Sequence, residues 1–149
     1  MANTTETPII NGIGHIALNV GDMEKTLEFY CGVLGLKHAF TLRNADGVPW
    51  IEYIKVADNN FIELFYARNK NAAAPEQATV SAVNPTFHHI CLTVGDIRAA
   101  EKAIDGAGWT VDTRPKQGSD KNWQMWVRDP DGNKLELMQI SPESPQANS

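Results

Sequence analysis

The stretch Gly14-His15-Ile16-Ala17-Leu18-Asn19-Val20-Gly21-Asp22 returns in degenerate form as His88-His89-Ile90-Cys91-Leu92-Thr93-Val94-Gly95-Asp96, an offset of 89 − 15 = 74. Ile62-Glu63-Leu64 likewise returns as Leu135-Glu136-Leu137, an offset of 136 − 63 = 73. Trp50 and Tyr53 meet Trp123 and Trp126 at 126 − 53 = 73, and Asp58 meets Asp131, so one module is written twice. Each copy carries one imidazole and one carboxylate at matched places.

Working outward, residues 14–20 run to period two: His15, Ala17 and Asn19 point one way and Ile16, Leu18 and Val20 the other, as in a strand with one greasy face. Asp22 is a good N-cap for a helix carrying Met23, Leu27, Tyr30 and Leu34 on one stripe, ended by Gly32 and Gly35. Strands are predicted over Lys37–Arg43, Pro49–Val56 and Asn60–Tyr66, separated by Asn44-Ala45-Asp46-Gly47 and Asp58-Asn59-Asn60 turns. The second half repeats the order. A strand over 87–94 leads to a helix capped by Asp96 with Ile97, Ala100 and Ile104 inward, then strands near 109–115, 122–128 and 133–140. The expected fold is α+β: two tandem βαβββ modules forming a curved, barrel-like mixed sheet with helices outside. The chain reads as one domain, with modules at 10–66 and 87–140, an Ala-, Asn- and Pro-rich linker at 67–86, and frayed tails at 1–9 and 141–149.

Composition narrows the partners. A chain of 149 residues holds one domain's core. A formal net charge of −5 argues against nucleic acid or an anionic membrane surface, which both want a basic patch. No apolar run approaches the roughly 20 residues of a spanning helix. The start has neither a basic nor an apolar export signature, and Cys31 and Cys91 make no disulfide framework, so the expected location is cytoplasmic.

Strand alternation gathers the candidate site. Phe61, Glu63 and Phe65 share one face, with Ile62, Leu64 and Tyr66 opposite; Lys134, Glu136 and Met138 share one face, with Leu135 and Leu137 opposite. The leucine and isoleucine faces need the helices as cover, so His15, Glu63, His89 and Glu136 are expected on the concave side. Two carboxylates among Phe61, Phe65 and Met138 are costly unless paired or bound to a cation. Taken singly, a strand His is more often a packing residue and a strand Glu more often solvated; the matched repeat tips the balance to a metal. Two imidazoles and two carboxylates suit one divalent ion, Ni²⁺, Co²⁺, Mn²⁺ or Zn²⁺. Asn19, Phe61, Phe65, Cys91, Trp123 and Met138 are candidate substrate contacts, Trp123 and Trp126 being equally readable as core. His88 alternates to the helix side and reads as structural, and His38 has no matched counterpart.

His-Ile-Ala-Leu-Asn-Val-Gly-Asp-Met-Glu-Lys-Thr-Leu-Glu-Phe-Tyr (15–30), Phe-Ile-Glu-Leu (61–64), His-His-Ile-Cys-Leu-Thr-Val (88–94) and Asp-Pro-Asp-Gly-Asn-Lys-Leu-Glu-Leu-Met (129–138) resemble the vicinal oxygen chelate superfamily, which includes glyoxalase I, epimerases, extradiol dioxygenases and antibiotic resistance proteins. The order His, Glu, His, Glu is similar to the bacterial form of glyoxalase I that prefers nickel or cobalt. The resemblance implies His15, Glu63, His89 and Glu136 as metal ligands, with Glu136 the favoured base and Glu63 returning the proton. It implies a lyase that isomerises the hemithioacetal of a 2-oxoaldehyde such as methylglyoxal to a 2-hydroxyacyl thioester through a metal-bound enediolate. It also implies a homodimer, the site lying within one chain or between two. Two departures stand out: Asn19 replaces an Arg and Ala67 an Asn that hold glutathione in bacterial glyoxalase I. The competing expectations are a metal-dependent epimerase or isomerase of another α-hydroxy or α-keto compound, and a non-catalytic binder of a small aromatic ligand using Trp50, Trp123 and Trp126.

Overall fold

A computed structural model of the chain describes residues 12–66 and 88–149; the expected linker, the N-terminal tail and Ala67 lie outside the described residues. The first module runs β1 (His15–Val20), α1 (Met23–Leu27) with a π-helical turn (Glu28–Val33), β2 (Lys37–Arg43), β3 (Pro49–Ala57) and β4 (Asn60–Tyr66). The second runs β5 (Ile90–Thr93), α2 (Ile97–Gly106), β6 (Val111–Gln117), β7 (Trp123–Arg128) and β8 (Lys134–Gln139), then a short 3₁₀ turn (Pro145–Asn148).

Both sheets have the same strand order, β1-β4-β3-β2 and β5-β8-β7-β6. In each, the first strand lies parallel to the last, because a helix and a hairpin intervene, and the other pairings are antiparallel. The α+β class and the duplicated module are therefore present, but the barrel-like closure is not. Each module keeps a four-stranded sheet of its own, and among the described residues β1 and β5 pair only with β4 and β8. The predicted strand over 87–94 is also shorter, starting after His89.

One face of each sheet enters a shared core. Ile54, Ile62 and Leu64 of the first module and Met125, Val127, Leu135 and Leu137 of the second join Ile97 and Ile104 of α2 in one buried cluster. Asp22 and Asp96 cap their helices as expected, the Asp96 carboxylate accepting from the backbone N–H of Arg98 and Ala99 at 2.8 and 3.1 Å. The π-helical turn adds a residue to the expected helical stripe. Phe29 and Tyr30, adjacent in sequence, are both fully buried, a placement that the wider turn permits.

The modules are tied together where α1 meets the turn between β7 and β8. Tyr30 donates to Asp129 Oδ2 at 3.0 Å, and the Gly21 N–H donates to Asp131 Oδ1 at 2.9 Å. A Cβ on Gly21 would come within 2.8 Å of that oxygen. Gly132 completes the turn at φ 84, a conformation that favours glycine. Burial first, then the neighbouring Asp129 charge, holds the Tyr30 phenol well above its ordinary value, so it remains a donor. Tyr30→Phe is expected to cost about 1–3 kcal/mol of stability, read from the urea midpoint. An unchanged midpoint would show that the bond adds nothing.

The C-terminal segment 141–149, expected to fray, instead packs on the second module. The buried Asn122 accepts from the Ser141 N–H at 2.9 Å and its amide reaches Gln146, while Ser144 caps the 3₁₀ turn and is fully buried. Its polar residues found side-chain partners in place of an apolar face.

Candidate metal centre

The face of each sheet that turns away from the core carries one His and one Glu. In the first module β1 supplies His15 and β4 supplies Glu63, with His15 Nδ1 3.4 Å from Glu63 Oε1. In the second, His89 lies just before β5 and β8 supplies Glu136, with His89 Nε2 3.0 Å from Glu136 Oε2. Both glutamates are nearly buried, at 6% and 7% exposure, in sheets whose other face is apolar core. The expected alternation holds around them: Ile62, Leu64, Leu135 and Leu137 enter the core while Phe61 and Phe65 stay half-exposed.

The two pairs are not brought together. Among the described residues no group of three or more His, Cys, Asp or Glu side chains converges on a common point. Among the described residues one chain thus presents two separate His–Glu pairs rather than a single four-donor cluster. Each half fits a divalent ion by itself in type and distance. A nitrogen and an oxygen about 3.0–3.4 Å apart are placed as two ligands of one ion with bonds of about 2.1 Å would be.

The surroundings differ between halves. Tyr53 lies opposite Glu63 in the β3–β4 register and its phenol bonds that carboxylate; this bond, then burial and the Glu63 charge, raises the Tyr53 pKa. Phe40 stacks on Tyr53 with ring centroids 4.3 Å apart, and Phe61 meets both rings edge-on. Opposite Glu136 lies Trp126, whose ring meets His89 edge-on at 4.9 Å and lies beneath the Lys134 ammonium at 4.1 Å. Cys91 pairs with Glu136 on the other side; burial first, then the Glu136 charge, pushes its thiol up to about 11. It stays protonated at neutral pH. Met138 is buried two pairs along from Cys91 in the same register, opposite Thr93.

Other expected residues fall elsewhere. Trp123 lies on the core side of β7, packed on the hydrophobic cluster with Arg98 over its ring at 5.5 Å, so it is no substrate wall. Alternation decides this, since Trp123 shares a face with the buried Met125 and Val127. His88 is exposed and not a core residue: its Nδ1 is 2.6 Å from His89 Nδ1, because the strand that would have turned it inward has not yet begun. Asn19 is exposed on the same face of β1 as His15.

Sequence reasoning did not place Tyr53 at the site, although it lies opposite Glu63 as Trp126 lies opposite Glu136, at the shared offset of 73. His38, without a matched counterpart in the repeat, has its Nε2 2.7 Å from Glu52 Oε2 on the core side of β3. Thr41 and Tyr66 donate to the same carboxylate at 2.6 Å each. Burial pushes the Glu52 carboxyl up, but the bonds from Thr41, Tyr66 and His38 outweigh it and hold it below its ordinary 4.5. A folded pKa below the unfolded one contributes stability that is present above about pH 4.5 and lost as pH falls through the folded value. Glu52→Gln is therefore expected to lower stability at pH 7 and to flatten its fall in acid, read from urea midpoints between pH 3 and pH 7. An unaltered acid limb would refute the linkage.

A model of the Glyoxalase/Bleomycin resistance protein/Dioxygenase superfamily matches residues 12–137. The chain belongs to that superfamily. Among its relatives is a protein of Vibrio parahaemolyticus named "Probable lactoylglutathione lyase", 32% identical over 130 residues that cover 84% of this chain and 88% of the relative. The lactoylglutathione lyase of Escherichia coli O157:H7 is 30% identical over 130 residues, covering 84% and 90%. Among solved structures of the same fold, SMU.1112c superposes with a TM-score of 0.71 at 22% identity, over 87% of this chain and 98% of that one. Members of the superfamily share the duplicated module and differ in chemistry, so the fold alone does not assign the reaction.

Proposed function

We propose that the protein is a metal-dependent, glyoxalase I-like lyase of the cytoplasm, active as a homodimer. The observation that carries the reading is the pair of nearly buried carboxylates, each against an imidazole, at repeat-equivalent places on faces left bare of core. The relatives named lactoylglutathione lyase support it.

His15 and Glu63 of one chain and His89 and Glu136 of a second would hold one divalent ion, Ni²⁺ or Co²⁺ ahead of Zn²⁺ or Mn²⁺. A bound ion supplies Lewis-acid stabilisation of charge on two adjacent substrate oxygens. The rest falls to the chain. Glu136 removes the proton from the carbon bearing sulfur and hydroxyl. Glu63, entering protonated, gives a proton to the neighbouring carbonyl carbon, and the hydroxyl proton passes to the former carbonyl oxygen. The proton left on Glu136 returns to Glu63 through solvent before the next turnover. The hemithioacetal thereby becomes a 2-hydroxyacyl thioester with no atom gained or lost. Phe61 and Met138 keep the reacting carbons from water.

The deciding experiment follows thioester formation from methylglyoxal with several thiols after loading with nickel, cobalt or zinc. Turnover with any thiol supports the lyase; metal uptake without turnover for every thiol would refute it. A second reading, epimerisation or isomerisation of another α-hydroxy or α-keto compound by the same carboxylates, is favoured by Asn19, a neutral residue at the place of the glutathione-holding Arg. The third, an aromatic-ligand binder walled by Trp50, Trp123 and Trp126, loses its basis: Trp123 and Trp126 lie on opposite faces of β7, and Trp50 belongs to the other sheet.

A further inference from the structure

An open cleft of about 480 Å³ lies at the end of β1 and β4, lined by Ala17, Leu18, Asn19, Trp50, Phe65 and Tyr66. Its volume is in the range of small-molecule sites, about 300–1,000 Å³. It continues the first half-site. Ala17 pairs with Glu63, and Asn19 pairs with Phe65 two residues further along the same face. Two residues of strand advance about 7 Å, so the cleft begins one small substituent away from the carboxylate.

The walls select by chemistry. Trp50 is 48% exposed, although its ring already meets Phe65 edge-on at 6.0 Å and 83°. A half-bare indole beside a second ring leaves apolar area that a third ring would cover in an edge-to-face or offset arrangement. The polar groups present carry no charge. Asn19 offers a neutral amide, and the Tyr66 hydroxyl is committed to Glu52 at 2.6 Å. Arg43, close enough to act on Tyr66, is outside the lining and gives its guanidinium to the Gly47 carbonyl at 3.0 Å. An anionic substrate tail would thus leave water for a lining without a cation among the described residues, which is unfavourable.

We infer that this cleft seats an uncharged aromatic ring on the non-reacting end of the substrate, with Trp50 as the specificity-determining residue. This rests on the proposed reaction for its reacting end, and it sets the substrate class apart from peptide thiols with carboxylate termini.

Two measurements test it. Lactate and 3-phenyllactate present the same pair of adjacent oxygens and differ by one phenyl ring. Titrated calorimetrically into nickel-loaded protein, phenyllactate is expected to bind at least about tenfold tighter, by the burial of one ring. Trp50→Ala is expected to erase that ratio by weakening phenyllactate at least about tenfold. Equal affinities, or a ratio that survives the substitution, would overturn the inference. The second arm needs no metal: benzyl alcohol titrated against metal-free protein should shift the Trp50 indole N–H resonance, assigned by its loss in Trp50→Ala. An unmoved resonance would overturn the aromatic seat. A chain that takes up no nickel while Trp50 responds would defeat the metal-dependent lyase and leave the aromatic seat standing.

Discussion

A mixture of His15→Ala and His89→Ala chains is expected to recover about one quarter of wild-type turnover, although each variant alone is inactive. The arithmetic follows from two-fold symmetry. If each site takes one half from each chain, every site in either pure variant lacks an imidazole. After subunit exchange about half of the dimers are mixed. In a mixed dimer one site joins both defects and the other joins His15 of one chain with His89 of the other. The structure motivates the experiment because the two His–Glu pairs do not converge within one chain. A site closed within a single chain would show no recovery at any mixing ratio. Metal content gives a parallel readout, rising in the mixture with the same fraction.

The second large effect is at Glu136. Glu136→Gln is expected to lower turnover by about 10²–10⁴-fold, the usual contribution of a positioned base. Nickel stoichiometry should hold, since the amide oxygen can replace the carboxylate oxygen and three other ligands remain. The substitution is nearly isosteric, and with Leu135 and Leu137 still in the core the fold is expected to persist. Full activity in Glu136→Gln would remove that residue from the chemistry. A lost metal in the same variant would move its role from base to indispensable ligand.

Much of this was legible because period two is local. Lys37–Arg43 and Asn60–Tyr66 are strands end for end, and Glu63 and Glu136 lie on the faces that alternation assigns them. Alternation also misled where no strand exists, and His88 sits in that gap, two residues before β5. Trp123 was ambiguous because an aromatic serves a core and a ligand wall equally, until register with its neighbours placed it. Glu52 was visible as an anomaly, a carboxylate alternating with Ile54 on the greasy face. Its partners His38 and Tyr66 stand 14 residues away on separate strands, and only the sheet register brings them to it. That the described residues hold no shared ligand cluster could not be read at all, since spacing fixes which face a residue takes and not where two sheets stand. The separate sheets and the packed C-terminal segment belong to the same class of information.

The bond from Tyr30 to Asp129 has an evolutionary corollary. In the second copy the corresponding helix position, by the offset 104 − 30 = 74, is Ile104, which has no hydroxyl to give. The duplicated halves have thus become dependent on one another in one direction only. An excised first half would carry bare Phe29 and Tyr30 into solvent, and fusing two first halves would leave one tyrosine in each seam facing Val56 where Asp129 now stands, by the offset 129 − 56 = 73. The bond from Tyr30 to Asp129 is thus a tie between the halves that the repeat does not duplicate.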